Sequence, residues 1–250
     1  MMAREIIVVA SAYGPDQVRQ AGGQRELLPT IAASGADGVE IRRELLTPDE
    51  LGTLSQLAHS ITAQGLFPCY SVPEGLFLSG GHVNPQLSDF LLEARQLQAR
   101  WVKFSLGEYQ PGVSLTCLAS QLAKAPVPVV VENDQTHAGK LAPMQSFWQA
   151  AQALHLPVHL TFDMANWLWT GETPEIAAQA LASGVSYIHV KAAIPHNGQY
   201  RAIALNEAPP DWMALLRQLP PDAPRGIEFP LTGEDLVAVT RHYVSLLREV

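Results

Sequence analysis

Cysteines, basic residues and long hydrophobic runs are all scarce in this sequence of 250 residues. The two cysteines, Cys69 and Cys117, are too few for a disulfide framework and lack metal-binding spacing, which favours a reducing compartment. No apolar run is long enough for a membrane span, and the run at 6–10 is too short for the core of a secretory signal. We therefore expect a cytoplasmic protein that does not associate with membranes.

Basic residues are outnumbered by acidic ones, 16 to 24, which gives a formal net charge of −8. Nucleic-acid binding needs clustered lysine and arginine to neutralise phosphates, so this balance argues against a nucleic-acid partner. Hydrophobic residues make up 47% of the chain and charged residues only 16%, which is typical of a folded protein with a large core rather than of a disordered one.

A glycine-rich G-x-G-x-x-G turn is also missing after the first apolar run, which argues against a dinucleotide-binding open sheet. The sequence has instead eight short apolar runs, separated by longer amphipathic stretches with Ser, Thr, Asn or Asp before them and Gly after them. The runs lie at 5–13, 38–42, 66–72, 101–107, 127–133, 158–164, 187–193 and 226–229. This alternation predicts an α/β fold, a single (β/α)8 TIM barrel over 1–250, with a doubly wound open sheet as the alternative.

The last four predicted strands each end near a potential metal ligand. These residues are Glu132, Asp163, His189 and Glu228. TIM barrels build their sites at the carboxyl ends of the strands, so the four side chains can converge near the barrel axis. One acid or histidine alone is more often structural, but three converging carboxylates repel each other unless a cation lies between them. The set predicts one divalent metal ion, with Mn, Mg, Co and Zn all compatible.

Short motifs around these residues resemble the sugar-phosphate isomerase/epimerase-like branch of the xylose isomerase-like TIM barrels. They are GADGVEIR at 35–42, ENDQTH at 132–137, FDMANW at 162–167, IHVK at 188–191 and GIEFP at 226–230. The resemblance implies that Glu132 and Glu228 are both metal ligands and the catalytic pair that moves a proton. The chain departs from the branch at Asn166, where a histidine is common, and near Lys191 and His196, where an arginine often follows.

Other residues are candidates for substrate binding. Lys103 and Lys191 lie in predicted strands, where lysine is unusual, and could bind a substrate carboxylate or phosphate, form ion pairs with site carboxylates, or form a Schiff base. Glu40 and Arg42 end the second strand in phase, and could line the pocket or form a structural pair. The remaining candidates are Asn166, His137 and Tyr70, and the glycine-rich stretch 73–83 is a candidate mobile cover.

These features predict a metal-dependent isomerase or epimerase that acts on a keto-sugar, sugar phosphate or sugar acid through an enediolate. A metal-dependent sugar dehydratase, a Schiff-base aldolase and a non-catalytic sugar-binding barrel are the alternatives. An endonuclease for abasic DNA shares the barrel type, but the acidic charge argues against it. The expected partner is a small sugar or sugar acid, and assembly into a homo-oligomer stays open.

Overall fold

Eight parallel strands close into a barrel in the computed structural model, which describes residues 4–250. The described residues form eleven strands in all, of which β4, β9 and β10 are not barrel strands. In chain order they are β1 Ile6–Val9, β2 Gly38–Arg42, β3 Phe67–Leu78, β4 His82–Val83, β5 Val102–Gly107, β6 Val129–Glu132, β7 Val158–Asp163, β8 Val185–Val190, β9 Ala192–His196, β10 Gln199–Ile203 and β11 Arg225–Ile227. Around the barrel the strands follow the order β2-β1-β11-β8-β7-β6-β5-β3. The last of these, β3, pairs with the first, β2, and this pairing closes the barrel.

Helices follow most barrel strands and pack around the outside. They are α1 Pro15–Ala21, α2 Leu28–Ala33, α3 Pro48–Gly52, α4 Leu54–Ala63, α5 Leu87–Gln96, α6 Thr116–Leu122, α7 Leu141–Ala153, α8 Asn166–Trp169, α9 Pro174–Leu181, α10 Asp211–Leu216 and α11 Leu236–Glu249. The helix that follows β2 begins at a capping box, in which Thr47 and Glu50 bond each other's backbone N–H groups. No helix among residues 4–250 combines the length and the hydrophobicity that crossing a membrane requires.

Alternation along the strands divides the core into two parts. Val39 and Ile41 in β2, and the corresponding apolar residues of the other strands, belong to a large cluster between barrel and helices. A small separate cluster of Ile7, Cys69 and Tyr187 lies among the opposite faces of the strands, inside the barrel. Polar side chains occupy the interior above it, towards the carboxyl ends of the strands, where a TIM barrel places its site.

The eight predicted strands are all present, and the closed barrel is confirmed. The stretch 73–83 differs from the prediction of a loop, because β3 continues to Leu78 and pairs Gly75 with Ser105 and Phe77 with Gly107. The hairpin of β9 and β10, which directly follows β8, was not predicted. This hairpin and helix α8 lie beside the carboxyl ends of β7 and β8.

Candidate functional site

The four strand-end residues come together at the carboxyl end of the barrel. Glu132 and Asp163 are the last residues of β6 and β7, His189 lies next to last in β8, and Glu228 directly follows β11. Each offers one ligand atom, and the four atoms lie within 4.8 Å of one another. The four residues are close because their strands are parallel neighbours. The register of β7 and β8 pairs Asp163 with His189, and that of β6 and β7 places Glu132 beside Thr161.

The imidazole of His189 is oriented by Glu40. Its Nε2 lies 2.8 Å from Glu40 Oε2, and because a carboxylate only accepts, Nε2 donates this hydrogen bond. Nδ1 therefore faces the carboxylates, 2.6 Å from Glu132 Oε1 and 3.1 Å from Glu228 Oε2. Nδ1 and Glu132 Oε1 are both buried, and apart from these contacts between the imidazole and the carboxylates neither has a hydrogen-bond partner among the described residues. A histidine held by a carboxylate through one nitrogen, with the other nitrogen directed at carboxylates, fits a metal site.

Two lysines compensate the carboxylates. The Nζ atom of Lys103 contacts Glu132 Oε2 and lies 4.0 Å from Glu40 Oε1. The Nζ atom of Lys191 donates to Asp163 Oδ2 at 3.2 Å, to Glu228 Oε2 at 3.1 Å and to Asn166 Oδ1 at 3.3 Å. Both ammonium groups therefore form ion pairs with the candidate metal ligands.

Arg42 supplies the third cation. Its Nη1 atom donates to Glu228 Oε1 at 2.9 Å and lies 3.6 Å from Glu40 Oε1. Gln24 fixes the backbone of Arg42 from both sides, because its amide nitrogen donates to the Arg42 carbonyl and its amide oxygen accepts from the Arg42 N–H. Gln24 is fully buried. It was not predicted as a site residue, because it lies 18 positions before Arg42 and nothing in the sequence indicated that the two are in contact.

Burial and charge pull the pKa values of the site in opposite directions. Burial raises the pKa of Glu132, but Lys103 and His189 outweigh it and lower that pKa to about 2. Burial also raises the pKa of Asp163, and with Lys191 opposing it the value reaches about 7. Burial lowers the pKa of His189, whereas Glu40, Glu228 and Glu132 raise it well above its ordinary range. The pKa of each of these groups therefore depends strongly on the charges of its neighbours in the site.

Asn133 holds the end of β7 in place. It donates to the carbonyl of Asp163 at 3.0 Å and accepts from the N–H of Asp163 at 2.9 Å. Asp163 Oδ1 accepts from the N–H groups of Ala165 and Asn166, while Oδ2 faces Lys191. The Nδ2 atom of Asn166 donates back to the Asn133 carbonyl. Asn133 was not predicted as a site residue, although it directly follows Glu132, which was predicted to be a metal ligand.

Replacing Asn133 with alanine is expected to lower the free energy of unfolding by about 2–4 kcal/mol, because two buried backbone groups of Asp163 lose their partners. Urea unfolding of the two proteins measures this difference. Gln135→Ala is the control, since that exposed side chain makes one bond to Asn166, and a change below about 0.5 kcal/mol is expected. If Asn133→Ala lowered the free energy of unfolding by as little as the control does, Asn133 would not be what holds the end of β7 in place.

Three predicted substrate residues lie away from the open part of the site. Tyr70 is a correction: it faces outward, and its hydroxyl donates to Glu93 of α5 at 2.6 Å, because its neighbour Cys69 takes the inward phase. Glu40 is fully buried behind His189. His137 is exposed in the turn after β6 and lines a different cavity, together with Tyr109.

Two cavities open beside Lys191. One, of about 270 Å³, is lined by Lys191 and Glu228 and by the hydroxyl-bearing residues Ser11, Tyr13 and Thr232. The other, of about 260 Å³, lies between α8, α9 and α10; its lining is mostly apolar but includes Glu175 and Asp211. A small polar molecule in the first cavity would contact both Lys191 and Glu228, one of the four candidate ligands.

Comparisons with known proteins identify the fold. No family model matches the sequence, and no curated protein matches it. Solved structures do match over nearly the whole chain. A xylose isomerase domain protein from Planctomyces limnophilus has a TM-score of 0.67 at 16% identity, covering 100% of this chain and 98% of its own.

Two further solved structures are similar in the same way. The IOLI protein, solved with a binding zinc atom, has a TM-score of 0.70 at 12% identity, with 98% of each chain covered. D-allulose 3-epimerase from Methylomonas sp., solved in complex with D-allulose, has a TM-score of 0.64 at 13% identity, covering 99% of this chain and 97% of its own. The chain has the fold of the xylose isomerase-like TIM barrels, as its motifs predicted.

Proposed function

We propose that this protein is a divalent-metal-dependent isomerase or epimerase, which moves a proton on a small keto-sugar, sugar phosphate or sugar acid. The observation that carries the proposal is the cluster of Glu132, Asp163, His189 and Glu228, in which Nδ1 of the histidine is buried and directed at two carboxylates, with no other hydrogen-bond partner among the described residues. The similarity to an epimerase solved with D-allulose and to a barrel solved with a zinc atom also supports this proposal.

The four residues would hold the ion through three carboxylates and one neutral imidazole nitrogen. This donor set suits Mn, Mg, Co or Zn. A bound divalent ion supplies positive charge that stabilises an enediolate. Glu40 would keep the histidine in the required tautomer, and Asn133 would keep Asp163 at the end of its strand.

Glu132 and Glu228 are the proposed proton-transfer pair. They approach the His189 Nδ1 atom from different strands, and each has its own cationic partner, Lys103 for Glu132 and Arg42 for Glu228. These cations keep both carboxylates ionised and able to accept a proton from carbon. Returning the proton to the opposite face of the same carbon gives an epimer, and returning it to the neighbouring carbon gives an isomer.

Schiff-base chemistry is disfavoured by the pairing of both lysines. Burial lowers the pKa of Lys191, but Asp163, Glu228 and Glu132 outweigh it and raise that pKa above its ordinary value. The pKa of Lys103 is raised in the same way, against burial, by Glu132 and Glu40. A nucleophilic lysine must be neutral, and these two are held as ammonium ions.

The test is deuterium incorporation from D₂O into a panel of keto-sugars and sugar acids, followed by NMR with Mn²⁺-loaded protein. We expect exchange of a hydrogen beside the carbonyl, its loss after EDTA treatment and its return with Mn²⁺. A dehydratase would instead give a product lighter by one water, and a non-catalytic binding protein would be thermally stabilised by a sugar without exchange. Full exchange after complete removal of metal would overturn the proposal.

A further inference from the structure

The charges around the site are nearly balanced before any metal is added. Four carboxylates face the interior, from Glu40, Glu132, Asp163 and Glu228, against three fixed cations, from Lys103, Lys191 and Arg42. Glu44 also contacts Arg42, but from outside and with 34% of its side chain exposed, so that water screens its charge. With a divalent ion bound and His189 neutral, the site would therefore carry one net positive charge.

Lys191 would be most affected by such an ion. Its ammonium shares Glu228 Oε2 with His189 Nδ1, at 3.1 Å from each, and it also holds Asp163 Oδ2. Both carboxylates belong to the candidate metal set. A cation bound there would draw on the same two carboxylates, so that Lys191 would be paired with them less strongly and would keep the neutral Asn166 as its other acceptor.

We propose that Lys191 binds a carboxylate of the substrate when the metal site is filled, so that the protein acts on a singly charged sugar acid in preference to a neutral sugar. This inference rests on the proposed function and narrows its substrate class. The positive charge left over in the filled site is the reason, because a neutral sugar would leave the largely buried Lys191 ammonium with only carboxylates already shared with the ion.

The polar cavity gives the carboxylate a place. Ser11 and Thr232 line it beside Lys191 and can bind hydroxyl or carboxylate oxygens. Glu228 also lines this cavity, but its charge would be offset by the bound ion, whereas the neighbouring apolar cavity is lined by two acids outside the metal set, Glu175 and Asp211, which would repel an anion. The substrate carboxylate is therefore expected on the side of Ser11, between β1 and β8.

A single carboxylate matches this site better than a phosphate group. A phosphate carries close to two charges at neutral pH and is held by several donors. Around the polar cavity the only cationic lining residue among the described part of the chain is Lys191. One ammonium group neutralises one negative charge, so a carboxylate fits this cavity better than a phosphate does.

The experiment uses matched probes and isothermal titration of the full chain. Titration with MnCl₂ comes first and tests the proposed metal site by itself. D-Gluconate, D-sorbitol and D-sorbitol 1-phosphate are then titrated into Mn²⁺-loaded protein; they share a six-carbon polyol chain and differ in the group at C1. We expect gluconate to bind at least about tenfold more tightly than sorbitol, the effect of one charge-assisted hydrogen bond, and more tightly than the phosphate.

Two variants assign the preference to Lys191. Lys191→Met is expected to bind Mn²⁺ more tightly, since a competing cation is removed, and to lose the preference for gluconate over sorbitol. Lys191→Arg keeps the charge and should keep most of the preference, and it tests the idea even if the methionine variant folds poorly. Equal binding of gluconate and sorbitol, tighter binding of the phosphate, or no binding of any probe would overturn the inference while Mn²⁺ binding upholds the metal site. Failure to bind Mn²⁺ would instead overturn the proposed function.

Discussion

Glu132→Gln and Glu228→Gln variants are each expected to lower the rate of substrate hydrogen exchange by about 10²–10⁴-fold, the range that a positioned general acid or base contributes. The amide keeps the size of the side chain and one oxygen, but it cannot take a proton from carbon. Both carboxylates contact His189 Nδ1, so metal affinity is also expected to fall, and each variant must be assayed at saturating Mn²⁺.

Glu44→Gln is the matched control for this prediction. Glu44 contacts the same Arg42 as Glu228, but it lies outside the site and is partly exposed. Its variant should exchange hydrogen within about twofold of the unmodified protein, as expected of an exposed pair worth well under 1 kcal/mol. The rates follow from NMR of the substrate in D₂O. Unchanged rates in both Glu132→Gln and Glu228→Gln would remove these residues from the chemistry.

The barrel and its four strand-end residues could be predicted because both depend on local patterns. Each strand is a short apolar run buried on two faces, and the polar residue that ends it, such as Glu132 or Asp163, marks where the chain leaves the barrel wall. Parallel strands in one closed barrel then place their ends at the same rim. These two facts place the four residues at one rim, and the structure adds that their ligand atoms lie within 4.8 Å of one another.

The orientation of individual side chains could not be predicted in the same way. The run 66–72 is apolar on both faces, so nothing in the sequence decided whether Cys69 or Tyr70 points inward. The contact between Glu40 and His189 joins residues 149 positions apart, and only the closed barrel brings β2 and β8 near enough to form it.

The β9–β10 hairpin was missed although its signal was present. Asn197 and Gly198 form a two-residue turn in which both have positive φ, 50° and 78°, and His196 pairs with Gln199. Asn-Gly is the preferred sequence for such a turn because both residues tolerate the left-handed conformation. The prediction instead extended the apolar run of β8 to 193 and so passed over the start of the hairpin.

Glu40→Leu is expected to weaken Mn²⁺ binding by about 10- to 100-fold, although Glu40 is not one of the four candidate ligands. Its carboxylate accepts the Nε2–H bond of His189, which holds the ring with Nδ1 directed at Glu132 and Glu228 and leaves Nδ1 as the nitrogen available to a metal ion. Glu40→Gln can still accept that bond through its amide oxygen, so a smaller loss is expected. A ligand-supporting role thus predicts a graded series, with the glutamine variant between the leucine variant and the unmodified protein.

Thr161→Val separates this effect from a general disturbance of the barrel interior. Thr161 is buried, and its hydroxyl has no hydrogen-bond partner among the described residues, so an apolar side chain of similar shape should leave Mn²⁺ affinity and stability nearly unchanged. Calorimetric titration with MnCl₂ gives the affinities, and urea unfolding checks that the Glu40 variants are folded, since Lys103 and Arg42 lose a neighbouring charge in them. If folded Glu40→Leu bound Mn²⁺ as tightly as Thr161→Val, the histidine would not depend on Glu40 for its orientation. If Glu40→Gln lost as much affinity as Glu40→Leu, the negative charge rather than the accepted hydrogen bond would be what Glu40 contributes.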